Sequence, residues 1–203
     1  MNSFYECICS RRSIRRFQDK PIDEDLLIKL VNAGRLAPSG ANIQPLEFVL
    51  VNDPSYVDKL FPYLKWAGYI TPAGNPPDGE HPVAYCVVLV DIGKKKKGGE
   101  VDAAAAISTI LLTAWSLGIG SCWLGAINRK QIKKLLKIPH HLHVDSVIAL
   151  GYPNERPVLE DAGESIQYWK DQTNILHVPK RKIETILHKN GYGVFIQKPD
   201  GRL

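Results

Sequence analysis

Most of the short signatures that name a chemistry are missing from this chain. Its four cysteines (Cys7, Cys9, Cys86 and Cys122, in 203 residues) contain no Cys-x-x-Cys pair, so neither a zinc ribbon nor a thioredoxin-like redox couple is indicated. Cys86 and Cys122 fall in apolar, strand-like runs, where cysteine serves as a small buried hydrophobe. All four are read as reduced thiols, the state expected in the cytoplasm. No apolar run is long enough to span a membrane as a helix, and the first residues hold no apolar signal core. GxGxxG after a strand, GxxxxGK[ST], HExxH and GxSxG are all absent, so no motif supports a dinucleotide fold, a P-loop, a zincin or an α/β-hydrolase. The carboxylates form no pair suited to acid–base work. His140, His141 and His143 lack the carboxylates or cysteines that would complete a metal shell, and read as a loop capping the next strand.

What remains is a chain of ordinary globular character, 44% hydrophobic and 23% charged, with a net charge of +5 that suits anionic partners. Its length fits one domain of 1–203 with a real core, without internal repeat or linker. Helical spacing marks residues 2–10. Asp23 opens a helix to about Leu36 with Leu26, Leu27, Leu30, Val31 and Gly34 on its buried stripe. Asp53-Pro54 starts another, predicted to run to about Trp66. Residues 100–117 form the longest helix, apolar on nearly every face and stopped by Gly118. Asn128 caps a short basic helix ending before Pro139. Strands are expected at 47–52, 84–91, 120–127 and 144–152, the second buried on both faces. Proline and glycine make 69–82 a loop, of a length that marks a lid, a binding loop or a simply mobile segment. Lys94, Lys95, Lys96 and Lys97 between glycines read as a solvated turn. Beyond Pro153 the apolar density falls. One or two short helices are expected there, the better one beginning at Pro179, followed by a strand-like 194–196.

Two stretches are unusual. Residues 11–17, RRSIRRF, crowd four guanidinium groups and a hydroxyl together, which is unfavourable unless water or an anion offsets the repulsion. Arginine's planar fork suits a phosphate. About twenty residues later comes PSGANIQP, where Ser39, Asn42 and Gln44 offer short donors and acceptors on a backbone fixed by Pro38, Gly40 and Pro45. Grip without an evident nucleophile or base is what a site shows when a bound cofactor carries the reaction.

RRSIRRF, PSGANIQP and the later WLGA, in this order over about residues 3–190, closely resemble the FMN-dependent nitroreductase family. The resemblance implies an α+β fold with a central, mainly antiparallel sheet flanked by helices. It implies an intertwined homodimer with FMN at the interface, in which residues 154–203 are an extension packing on the partner subunit. Carried over by position, Arg11 should contact the FMN phosphate, and Arg12 and Ser13 the phosphate, ribityl chain or ring edge. Arg15 should lie near the pyrimidine end of the ring. Pro38, Ser39, Asn42 and Gln44 should line the other subunit's cofactor, with Leu124 and Gly125 near flavin N5. Arg181 should reach the phosphate, with Lys180 as its competitor. Leu46 departs from the tryptophan that many members carry after Gln-Pro, and 63–81 matches no subgroup.

The implied reaction is ping-pong: hydride from NADH or NADPH onto flavin N5, then electrons to a nitroaromatic, quinone or flavin acceptor. No side chain is needed as catalyst. Two alternatives stay open. One keeps the fold but cleaves reduced flavin or dehalogenates reductively. The other, a basic nucleic-acid-binding module, rests only on the lysines at 94–97 and 130–137 and lacks a recognisable motif. The primary reading involves neither nucleic acid nor membrane.

Overall fold

The computed structural model describes residues 4–195. Its contacts group the chain into Met1–Arg156 and Pro157–Leu203.

The first unit is built on four antiparallel strands in the order β1-β2-β4-β3, with β1 at Leu46–Val51, β2 at Ala84–Asp91, β3 at Gly120–Leu124 and β4 at Leu142–Gly151. Every residue of β2 is buried. Its alternation assigns Tyr85, Val87 and Leu89 to one apolar cluster and Cys86, Val88 and Val90 to another, as the two-residue period of a strand requires. The register of β2 on β4 shifts between Val88 and Leu89, so Val144 and Val147 join the same cluster despite their odd spacing. Burying each such side chain stabilises the fold by about 1.5–3 kcal/mol.

Helix α1 covers Phe4–Ser10, α2 Glu24–Arg35, α3 Pro54–Leu60, α4 Gly99–Ser116 and α5 Arg129–Leu135. Leu27 and Leu30 of α2 join Ala103, Ile107 and Ile110 of α4 in the Cys86 cluster. Val57 and Leu60 of α3 and Ile132 of α5 join the Tyr85 cluster. The sheet is thus covered on both faces, and the α+β class with an antiparallel sheet holds.

Several expectations change in detail. Asp53 caps α3 through the amides of Ser55 and Tyr56, as predicted, but the helix yields to a 3-10 turn at Phe61–Tyr63, where Pro62 has no N–H to continue it. Asp23 precedes α2 without a side-chain capping bond. Asn128 caps α5 at Gln131, and Gly118 (φ +75°) follows α4, both as expected. Helix α4 is not enclosed all round: Val101 and Ser108 are exposed and Ala104, Ala105 and Leu112 are half-buried.

In the second unit the helix expected at Pro179 is a strand. Strands β5 (Val158–Asp161), β6 (Trp169–Lys170) and β7 (Leu176–Lys180) form a sheet ordered β5-β7-β6, with β5 parallel and β6 antiparallel to β7. Leu176 and Pro179 are buried, while Val158, Leu159, Ile166, Trp169, Ile175 and Ile186 are exposed. Central His177 bonds Glu160 on one side (2.9 Å) and Asp171 on the other (3.4 Å), with its ring stacked 4.2 Å from that of Trp169. Proline is tolerated at 179 because β6 pairs only with Leu176 and His177, so that side of β7 has no ladder partner at Pro179. Only a 3-10 turn follows, at Ile183–Thr185. Of the predicted 194–196 strand, Phe195 bridges His188 and residue 196 lies outside the described residues. Among the described residues no helix is long and apolar enough to cross a membrane.

Candidate functional site

The arginine stretch is anchored by the two apolar residues inside it. Ile14 and Phe17 are fully buried and pack on Gly120 and Gly151, which face each other in the β3–β4 ladder. A Cβ on Gly151 would stand 2.6 Å from the Phe17 ring, and one on Gly120 3.0 Å from Ile14, so only glycine leaves room at this end of the sheet. Backbone bonds complete the seat: Ile14 N–H to Ser121 O (2.9 Å), Phe17 N–H to Glu80 O (3.0 Å), and Asn154 N–H to Arg16 O (2.9 Å). The Arg15 N–H donates to the Glu155 carboxylate at 2.5 Å.

This seat divides the guanidinium groups. Arg16 faces Glu80 across 3.5 Å, and Glu80 also accepts from the Asn154 amide at 2.9 Å. Arg15 acts on the buried Cys122 thiol, whose pKa is nevertheless raised because burial outweighs the guanidinium. Arg11 and Arg12 are different. Arg12 donates to the Arg11 carbonyl through one terminal nitrogen, but Arg11 Nη1 and Arg12 Nε are buried without an acceptor. Burial lowers the pKa of both, and the charge of Arg11 lowers that of Arg12 further. Two half-buried cations with idle N–H groups are costly alone and are what an incoming anion would offset. Ser13 lies beside them, half-buried.

The second stretch is strained. Ala41, Asn42 and Gln44 adopt φ of +50°, +53° and +51°. Left-handed backbone costs non-glycine residues about 1–2 kcal/mol each, so something must hold the loop. Ser39 Oγ accepts from the Gln44 N–H (3.0 Å) and Ser39 O from the Asn42 N–H (2.9 Å). The Gly40 N–H donates to Asp102 Oδ1 (3.0 Å), and Asp102 Oδ2 receives the Lys95 ammonium at 2.6 Å. Asp102 is buried in the first turn of α4. Lys95 is therefore not a solvated lysine like its neighbours Lys96 and Lys97, which are exposed. The side chains of Asn42 and Gln44 face outward, exposed.

These two stretches sit at opposite corners of one sheet. The loop enters β1 at Leu46, level with Val90 and His143, whereas the arginines lie beside Gly120 and Gly151 on the far edge. Residues 143 and 151 of β4 are roughly 25 Å apart at ~3.3 Å per residue. A single chain cannot close both around one small molecule. Leu124 is buried at the end of β3, and Gly125 is exposed, its carbonyl accepting from Arg129 at 3.3 Å. Arg181 belongs to the second unit, exposed, and donates to Thr185 O at 3.0 Å. Sequence reasoning missed Asp102, Lys95, Glu80 and Glu155. The one available signal was Asp102 itself, which with Glu100 puts two acids in the first turn of an otherwise apolar helical run.

A family model for the nitroreductase family matches residues 8–76 and 90–152, more than half of the chain. The chain belongs to the nitroreductase family. A relative from Archaeoglobus fulgidus, which carries the provisional name NADH dehydrogenase/NAD(P)H nitroreductase, is 34% identical over 81% of this chain and 93% of its own. The FMN-dependent nitroreductase of Clostridium difficile superposes with a TM-score of 0.67 at 26% identity, covering 92% of this chain and 98% of that one. A Desulfovibrio desulfuricans protein solved in complex with FMN, and provisionally described as a nitroreductase, gives 0.64 at 28% identity over 81% and 94%. Both unusual stretches and Leu124-Gly125 fall inside the family match, and Arg181 lies outside it.

Proposed function

We propose that this nitroreductase-family protein is a homodimeric FMN-dependent oxidoreductase driven by NADH or NADPH. The observation that carries the proposal is the pair of buried N–H groups on Arg11 and Arg12 that lack acceptors, beside Ser13. Their donor chemistry fits the phosphate of FMN, bidentate and charge-assisted. Arg11 would hold that phosphate, Arg12 and Ser13 its neighbourhood, and Arg15 would place positive charge near the pyrimidine end of the ring. Bound FMN would supply the redox step, accepting a hydride from the nicotinamide and returning electrons to a nitroaromatic, quinone or flavin.

The separation of the two stretches supports the dimer. Pro38, Ser39, Asn42 and Gln44 of one chain would reach the cofactor gripped by Arg11 and Arg12 of the other, with Leu124 and Gly125 offering backbone groups. Exposed apolar residues supply a surface for that pairing: Phe4 (73% exposed) and Tyr5 on α1, and Val101 (67%) on α4. The second unit, with Leu176 its sole buried aliphatic side chain among the described residues, would pack on the partner subunit and bring Arg181 or Lys180 to the phosphate.

Losing a hydrogen bond to a charged group costs about 1.5–3 kcal/mol. Arg11→Ala is therefore expected to weaken FMN binding roughly ten- to hundredfold, read by fluorescence titration of the flavin-free protein. Equal affinity in the wild type and the variant would refute the phosphate assignment.

A further inference from the structure

We infer that Asp102 and Lys95 act as positioning residues for the cofactor, holding residues 39–44 in the one backbone conformation that fits it. The inference rests on the FMN reading above and adds to it two residues that are not proposed to touch the flavin. Three facts converge on it. The loop carries three left-handed non-glycine residues within four positions, a conformation that a free loop would abandon. Its single tie to a buried charge is the Gly40 N–H on Asp102 Oδ1. The other oxygen of that carboxylate is occupied by Lys95, whose side chain is 17% exposed while those on either side are exposed. The same ammonium would stand 3.0 Å from a Cβ on Gly40, so it also forms a wall of the loop.

The arrangement works as a clamp. Burial alone would push the Asp102 carboxyl upward, but the bonds from Lys95 and Gly40 and the ammonium charge outweigh it, and the net shift is downward. The carboxylate therefore stays ionised at neutral pH and remains an acceptor for the loop amide. Removing it frees the loop to relax, and only the fraction of molecules still in the strained form would bind. If that fraction falls to about a tenth, the apparent dissociation constant for FMN rises about tenfold.

The test must separate positioning from simple stability, because either single variant leaves a buried charge without its partner. Full-length wild type, Asp102→Leu and the double variant Lys95→Met/Asp102→Leu are stripped of flavin and compared by FMN fluorescence titration and by thermal melting of the flavin-free form. The expected result is that the double variant recovers melting temperature relative to Asp102→Leu but still binds FMN about tenfold more weakly than wild type. Amide exchange at residues 40–44 should be faster in both variants. If affinity returns together with the melting temperature, the pair is merely structural and the inference is overturned. A wild type that binds FMN alongside variants that bind it equally well would sink the inference alone. A wild type that takes up no FMN would sink the cofactor reading, and this inference with it.

Discussion

The two units are held together by different physics. The first packs side chains such as Ile107, Ile110, Val147 and Ile148 to zero exposure on both faces of a four-stranded sheet. The second has three short strands over one buried leucine and one buried proline, tied by a polar cluster of His177, Glu160, Asp171 and Trp169. Apolar burial is indifferent to pH and needs no second molecule. A polar tie is sensitive to protonation, and so thin a core leaves apolar side chains in need of cover.

The largest effect that would break this contrast is all-or-none. Residues 157–203 expressed alone are expected to show no cooperative thermal transition by circular dichroism. A sharp transition would mean that this unit is self-sufficient. Next in size, Ile107→Ala should lower the unfolding free energy of the full chain by about 2–5 kcal/mol in urea titrations, because it opens a cavity that the sheet cannot collapse into. Leu176→Ala should instead leave that main transition in place and perturb only the second unit.

The smallest effect is a pH response. The Glu160 bond raises the pKa of His177 against the opposing pull of burial, with Asp171 adding to the rise. A raised folded pKa means that this stabilisation is complete below the ordinary value of 6.5 and is lost as pH climbs through the folded value. The carboxyls behave oppositely. Glu160 is lowered by Trp169 and His177, and Asp171 by the Ile175 amide first among its donors, so both contribute fully above their ordinary 4.5 and 3.8 and are lost in acid. The second sheet should therefore be firmest between about 4.5 and 6.5. Trp169 fluorescence, isolated as the difference from Trp169→Phe, should titrate above 6.5 and lose that step in His177→Gln. A flat trace would remove the ionic tie from the account.

The contrast also explains what could be read in advance. In the first unit, apolar period and local punctuation agree. The α2 stripe, the Asp53 and Asn128 caps and the four strands all appear near their expected positions because each is set by residues a few places apart. In the second, the pattern is weak, and β7 exists because β5 and β6 flank it, a long-range pairing that no window around Pro179 reveals. The site shows the same divide. RRSIRRF announces an affinity for anions, yet which arginine is spent on Glu80 and which is left with idle N–H groups depends on residues more than sixty positions away. Lys95 looked like its neighbours because nothing in a run of four lysines marks the one that meets Asp102.

The facing glycines at 120 and 151 carry a consequence for how such a protein tolerates change. They form a flat bed on which Ile14 and Phe17 rest, so the aim of the guanidiniums is fixed from beneath as well as by Glu80 and Glu155. A single methyl group added to that bed would tilt the arginine arm away. Cofactor affinity would drop while every charge in the chain stayed where it was written.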